Sequence, residues 1–167
     1  MRKAFICPTK YVQGENELLN LGYFVETYGK SALLIAHPED IKRVKDKLDA
    51  TAKKFNIEFV EGGFKGECSR QEVKRLQDLA KEMKCDCTVG LGGGKALDTA
   101  KCVAEGEKLI VVPTIAATDA PTSHSAVLYT EDGSFDDYAY FKASPSVVLV
   151  DTCLLYTSDA ADDSLRV

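Results

Sequence analysis

The 167-residue chain has an ordinary globular composition, with 45% hydrophobic and 28% charged residues. These proportions exclude collagen-like, low-complexity and wholly disordered proteins, and the length permits a sizeable core without disulfides. The net charge of −5 disfavours a nucleic-acid-binding role, because such proteins usually carry a basic surplus. We therefore expect a folded domain with no nucleic-acid partner.

Neither a membrane span nor a secretory signal is predicted. No apolar run approaches the roughly 18 residues of a transmembrane helix, and Pro8 ends the apolar run of residues 4–7 too early for a signal-peptide core. The six cysteines lack regular spacing, and Cys85 and Cys87 form C-x-C rather than the C-x-x-C of redox and zinc motifs. We expect reduced thiols, a cytoplasmic location and no membrane partner.

Short apolar runs alternate with helical patterns along most of the chain. A helical stripe begins at Pro38, and residues of helical composition follow Lys95. Between them, Ser69 is a good N-cap, and Glu72 completes a capping box. This alternation predicts an α/β domain with a parallel sheet. The predicted strands are residues 32–36, 57–60, 88–91, 109–112 and 147–150.

Residues 126–141 depart from this alternation. Two strand patterns, 126–130 and 135–141, flank a short loop that contains Gly133, and together they predict a β-hairpin. No internal repeat or linker interrupts residues 1–152. We therefore predict one α/β domain over 1–152, a Rossmann-like parallel sheet with flanking helices and an added hairpin.

A glycine-rich turn between a strand and a helix is the strongest local signal. Residues 90–94 read Gly-Leu-Gly-Gly-Gly, and Lys95 follows. Unpaired N–H groups at a helix N-terminus attract phosphate, and glycines let it approach the backbone. The turn is neither G-x-G-x-x-G, which needs glycine at Lys95, nor a P-loop, which needs Ser or Thr at Ala96. The pattern favours phosphate binding, and a plain tight turn with close helix–sheet packing is the alternative.

A hydroxyl-rich loop, residues 113–123, is the second candidate site. It follows a predicted strand, at the edge where open α/β sheets bind ligands. With Asp119 among small residues, the loop can hydrogen-bond a ribose, a phosphate or a polyol. It can equally be a turn in which Thr118 and Asp119 cap local backbone groups, and the spacing leaves the two interpretations about even.

The sequence supplies no complete metal site. Its two histidines, His37 and His124, belong to no H-x-x-x-H or H-x-x-E pattern. A lone histidine at a strand end is more often a surface polar residue than a ligand. We therefore assign no metal ligand.

Four motifs stand in order along the chain, at residues 8–14, 92–101, 113–123 and 148–152. Together they resemble the glycerol dehydrogenases, the metal-dependent, NAD-linked branch of the iron-containing alcohol dehydrogenase superfamily. The resemblance implies an N-terminal NAD-binding domain, a C-terminal helical domain that holds zinc or iron, and a homo-oligomer. The implied reaction oxidises glycerol, a polyol substrate, to dihydroxyacetone, with the metal polarising the hydroxyl and hydride passing to nicotinamide.

The resemblance also implies roles for individual residues. Asp119 would be the catalytic-site residue that hydrogen-bonds the polyol. The glycine turn and Lys95 would surround the NAD pyrophosphate, Thr114 and Ser123 would contact the adenosine and nicotinamide portions, and Tyr129 would lie near the nicotinamide. The implied cofactor-binding residues are His37, Gly92, Gly93, Gly94, Lys95, Thr114, Ser123, Ser125 and Tyr129.

Two departures from the family pattern lie within the implied cofactor site. At position 37 the family commonly has Asp, which binds the adenine-side ribose. His37 cannot replace that bidentate carboxylate, which predicts a changed cofactor affinity or NAD preference. His124 and Ser125 stand where the family usually has Ala-Leu, which makes the nicotinamide-side wall more polar.

The largest departure follows Thr152. The family continues into its helical domain with a metal-ligating Asp and later two His, whereas residues 153–167 match nothing in it. We interpret them as a non-homologous tail, the translated adapter sequence of a truncated gene, with a natural polar extension as the alternative. We expect an NAD-binding half without metal ligands that is inactive alone.

Two other functions stay open. One is a non-catalytic nucleotide-binding module, which the same glycine turn and sheet edge would serve. The other is a sister enzyme, a glycerol-1-phosphate dehydrogenase or dehydroquinate synthase. Asp119 within Thr-Asp-Ala-Pro favours the polyol enzyme.

Overall fold

A computed structural model of the chain describes residues 7–8 and 10–156. The strands in this part are β1 (Lys10–Gly14), β2 (Ser31–Ile35), β3 (Glu58–Glu61), β4 (Cys87–Gly92), β5 (Leu109–Pro113), β6 (Ser125–Tyr129), β7 (Phe135–Tyr140) and β8 (Val147–Asp151). The helices are α1 (Leu21–Val25), α2 (Pro38–Phe55), α3 (Arg70–Glu82), α4 (Gly94–Ala104) and α5 (Thr152–Tyr156), and a short 3-10 helix (Glu17–Asn20) precedes α1.

Within the described residues, six strands form a parallel sheet in the order β1-β8-β5-β4-β2-β3. Every residue of β4, β5 and β8 is buried, so both faces of the sheet need an apolar cover. The helices α1 and α2 pack on one face, through residues such as Leu21 and Leu48, and α3 and α4 pack on the other, through Leu76 and Leu97.

Local signals account for the ends of the two long helices. Pro38 stands at the start of α2, and Asn56, in a left-handed conformation, follows its end. Ser69 caps α3 as predicted, because its hydroxyl accepts a hydrogen bond from the Glu72 N–H at 3.2 Å. The other half of the predicted capping box is wrong. The Glu72 carboxylate instead accepts from the Arg75 guanidinium, a charged donor one turn further along.

Chain connections diverge between β2 and β4, which are neighbours in the sheet. From β2 the chain runs through α2 to β3 at one edge, whereas from β4 it runs through α4 to β5 in the opposite direction. Open α/β sheets bind ligands beside the carboxyl ends of the strands at such a point.

The hairpin of β6 and β7 is antiparallel and separate from the main sheet. Its residues Ala126 and Leu128 are buried against Cys68 and against Cys102 of α4. The hairpin therefore lies along α4.

These elements confirm the predicted α/β class, the parallel sheet and the hairpin. Each predicted strand is present with its ends shifted by a residue or so, and the elements between residues 10 and 25 were not predicted. The first residues of the predicted tail form α5, where Leu154 is 4% exposed in the core. The remainder, 157–167, lies outside the described residues.

No helix in the described part of the chain is long and apolar enough to cross a membrane.

Candidate functional site

The glycine turn and the hydroxyl-rich loop meet at the carboxyl edge of the sheet. The Thr114 N–H donates to the Gly92 carbonyl at 3.1 Å, which joins the end of β4 to the start of the loop. A Cβ on Gly93 would lie 3.1 Å from Ile115 Cδ1, and one on Gly94 would lie 3.2 Å from Thr118 Oγ1. The two segments predicted to bind ligand are therefore in direct contact.

The N-terminus of α4 differs from those of the two long helices. His37 and Ser69 cap α2 and α3 with side-chain acceptors, whereas Gly93 leaves α4 without a side-chain cap among the described residues. The first N–H groups of α4 are therefore available to an anion, and the helix dipole favours one there. Lys95 adds a positive charge in the same turn.

A cavity of about 330 Å³ lies beside this helix end, within the size range of ligand pockets. It is bounded by the start of α4, the hydroxyl-rich loop and β6. The structure thus brings most of the residues predicted as a site to one place. Those that line it are Gly94, Lys95, Asp119, Ser123, Ser125 and Tyr129.

Lys95 connects three separate segments at the mouth of this cavity. Its ammonium donates to Glu67 Oε1, from the loop before α3, and lies 5.1 Å from the centre of the Tyr129 ring. Its side chain is 47% exposed, so it remains accessible from solvent.

The hydroxyl-rich loop forms the turn that was its alternative interpretation. Thr118 Oγ1 accepts from the Ala120 N–H at 3.1 Å, and the Asp119 carbonyl accepts from the N–H groups of Thr122 and Ser123. Asp119 itself is exposed, and its carboxylate has no hydrogen-bond partner within residues 10–156. A turn and a ligand contact are therefore compatible here.

A buried polar network behind the cavity was not predicted. The Lys101 ammonium, 1% exposed, donates to Asp98 Oδ1 at 2.9 Å, to Ser123 Oγ at 2.9 Å and to the Ser125 carbonyl at 2.6 Å. Asp98 Oδ2 accepts from the Val127 N–H at 3.0 Å. One signal existed in the sequence, since these two charges stand three residues apart in an otherwise mostly apolar helix.

The network follows from how β6 lies beside α4. Alternate residues of β6 meet the successive charged residues of the helix: Ser125 meets Lys101, Val127 meets Asp98, and Tyr129 meets Lys95. Two residues along a strand cover a distance similar to that of about one turn along a helix, so the contacts between β6 and α4 stay in register. The network fixes one wall of the cavity.

Two buried thiols adjoin this network. Cys68 and Cys102 pack together beneath the hairpin. The hydrogen bond between them lowers the pKa of Cys68 and raises that of Cys102. Within the described residues, Cys7, Cys68, Cys85, Cys87 and Cys102 form no disulfide.

Some predicted site residues lie away from the cavity lining. His37 is exposed at the start of α2, where its Nδ1 accepts from the Glu39 N–H at 3.3 Å. Thr114 is 3% exposed, and Gly92, at φ +144°, makes the turn out of β4. In the part of the chain described, no group of three His, Cys, Asp or Glu residues could hold a metal ion.

Residues 8–152 match the iron-containing alcohol dehydrogenase family. Because the match takes in most of the chain, the protein belongs to this family, which confirms the resemblance inferred from the four motifs. Glycerol dehydrogenase from Pseudomonas putida is 41% identical over 162 residues, covering 96% of this chain and 44% of that enzyme. Glycolaldehyde reductase from Halobacterium salinarum is 38% identical over 154 residues, covering 91% and 42%.

Solved structures agree with these relationships. A probable glycerol dehydrogenase from Sinorhizobium meliloti has a TM-score of 0.80 at 35% identity, covering 94% of this chain and 43% of its own. Glycerol dehydrogenase from Schizosaccharomyces pombe has a TM-score of 0.82 at 29% identity, covering 94% and 40%. The chain therefore spans less than half the length of each of these four relatives.

Proposed function

We propose that this chain binds NAD at the carboxyl edge of its sheet and is the cofactor-binding part of a glycerol dehydrogenase. The observation that carries this proposal is the cavity beside the uncapped N-terminus of α4, bounded by Lys95, Asp119 and Tyr129. The names of the relatives support the substrate class, since several are glycerol dehydrogenases.

The residues at this edge fit a dinucleotide. Glycine at 93 and 94 lets the start of α4 pack closely against Ile115 and Thr118, where a Cβ would be crowded. The first N–H groups of α4 have no side-chain cap among the described residues, so a diphosphate can bind to them. The Lys95 ammonium can neutralise part of its charge. When bound, NAD supplies the hydride acceptor.

The other cavity residues suit a hydroxylated substrate. The Asp119 carboxylate is exposed and can only accept hydrogen bonds, which polyol hydroxyls donate. No group of described residues fits a metal ion, so we assign this chain no metal-dependent step. We expect cofactor binding without glycerol oxidation by the 167-residue chain alone.

Calorimetric titration of the chain with NADH tests this function. We expect saturable binding that Lys95→Met weakens by about tenfold, the effect of losing one charge-assisted contact with phosphate. Lys45→Met is the matched control, because Lys45 is on α2 and pairs with Asp49 at the surface. Absence of NADH binding by the wild-type chain, or equal binding by Lys95→Met, would contradict the proposal.

A further inference from the structure

The two carboxylate oxygens of Glu67 differ in their hydrogen bonding. Oε1 accepts the hydrogen bond from Lys95, whereas Oε2 is buried and has no hydrogen-bond partner in the described part of the chain. The hairpin turn lies beside this carboxylate, since a Cβ on Gly133 would lie 3.7 Å from Glu67 Oε1. A buried acceptor without a donor raises the free energy of this arrangement.

The ion pair offsets an unfavourable charge at the helix terminus. Lys95 stands in the first turn of α4, where a cation opposes the helix dipole, and that turn contains no acidic residue. Glu67, from a different segment, supplies the missing negative charge. A bound diphosphate would supply the same charge at the same place.

We propose, building on the cofactor site proposed above, that Glu67 is a positioning residue that competes with the cofactor diphosphate for the Lys95 ammonium. To bind the ligand, Lys95 must give up its contact with Glu67. The carboxylate is then left with both oxygens unpaired and with an anion nearby. Glu67 therefore lowers the affinity of the site for diphosphate-bearing ligands and keeps Lys95 neutralised while the site is free.

A double-mutant cycle on the full chain tests this role. Dissociation constants for ADP, NADH and adenosine are measured by calorimetry for wild type, Glu67→Gln, Lys95→Met and the double variant. We expect Glu67→Gln to tighten ADP and NADH binding by about three- to fivefold, the range for releasing one partly exposed ion pair. Adenosine, which lacks phosphate, should bind the wild type and Glu67→Gln equally.

The Lys95→Met background separates competition from a direct effect. If Glu67 acts through Lys95, Glu67→Gln should tighten ADP and NADH binding clearly less in the Lys95→Met background than in the wild-type background. An equal gain in both backgrounds, or weaker binding by Glu67→Gln, would overturn the inference. Glu61→Gln removes the same charge at the end of β3, beside Lys45, and should leave all three constants unchanged.

Two further outcomes keep this inference distinct from the proposed function. Should wild type bind neither ADP nor NADH, the proposed cofactor site fails and Glu67 has no ligand to compete with. Should wild type bind both while Glu67→Gln has unchanged constants, only the role of Glu67 fails. Thermal unfolding checks that each variant is folded. Glu67→Asp is a second variant, which keeps the charge but shortens its reach to Lys95. It should tighten ADP and NADH binding less than Glu67→Gln does.

Discussion

The Lys101 ammonium lies 2.9 Å from Asp98 Oδ1 in the interior of the domain, where the lysine is 1% exposed. All three of its N–H donors have acceptors, and the second Asp98 oxygen accepts from the Val127 N–H. A buried charge pair is tolerated when such hydrogen bonds replace water. The pair therefore holds the hairpin and the cavity wall against α4.

Lys101→Met should destabilise the protein by about 3–5 kcal/mol, because it leaves the Asp98 carboxylate buried without its cation. Urea unfolding measures this change. Lys101→Met combined with Asp98→Leu should recover part of the loss, since no unpaired charge remains. Lys45→Met breaks an exposed pair with Asp49 and should cost less than about 1 kcal/mol. Equal costs for Lys101→Met and Lys45→Met would contradict the buried network.

Asp151 at the end of β8 should tolerate substitution equally poorly. It is completely buried, and its two oxygens accept from the N–H groups of Asn16, Leu18 and Cys153 and from the Lys47 ammonium. Asp151→Asn keeps the shape but turns an NH2 group towards donors, so we expect a loss of about 3 kcal/mol in urea unfolding. Asp49→Asn, at an exposed carboxylate, should change stability little.

Gly90 accounts for close packing of α4 on the sheet. A Cβ at this position would lie 2.6 Å from Ala100 Cβ, so Gly90→Ala should cost about 1–3 kcal/mol through overpacking. Ala100→Gly alone should cost about 1 kcal/mol through helix propensity. If the contact with Ala100 Cβ causes the loss, Gly90→Ala should lower the unfolding free energy less in the Ala100→Gly background. Urea unfolding of wild type, the two single variants and the double variant measures this. Additive costs would exclude this contact as the cause.

Elements with local signals were predictable from the sequence. The apolar runs of β4 and β5 and the cap at Ser69 depend on neighbouring residues, so the class of fold followed from them. By contrast β1 was missed, because it is a largely exposed edge strand with a weak apolar pattern. Strand order also has no local signal.

The candidate site was predictable only in part. The glycine turn and the loop at 113–123 each follow a strand, so their meeting at one edge could be expected. The hydrogen bonds that join the Lys101–Asp98 pair to the hairpin could not, because they depend on β6 lying beside α4, more than twenty residues further along the chain. The role of Glu67 depends on the same long-range packing.

The Asp86 carboxylate should stabilise the protein in a way that depends on pH in the acid range. The N–H groups of Ser31 and Lys30 donate to its carboxylate and lower its pKa. A depressed folded-state pKa contributes stability above the unfolded value, about pH 4, and that stability is lost as the pH falls through the folded pKa. Unfolding free energies of wild type and Asp86→Asn should therefore differ at pH 6 and converge as the pH falls below about 4.

Asp78 provides the matched control for this pH dependence. Its pKa is also lowered, but by the ammonium of Lys74 rather than by backbone N–H groups. Each substitution changes the unfolding free energy relative to wild type. About 1 M sodium chloride should reduce that change much more for Asp78→Asn than for Asp86→Asn, because salt screens exposed charge pairs. If the unfolding free energies of wild type and Asp86→Asn differ by the same amount from pH 6 to pH 2, the N–H groups of Lys30 and Ser31 do not stabilise the Asp86 carboxylate.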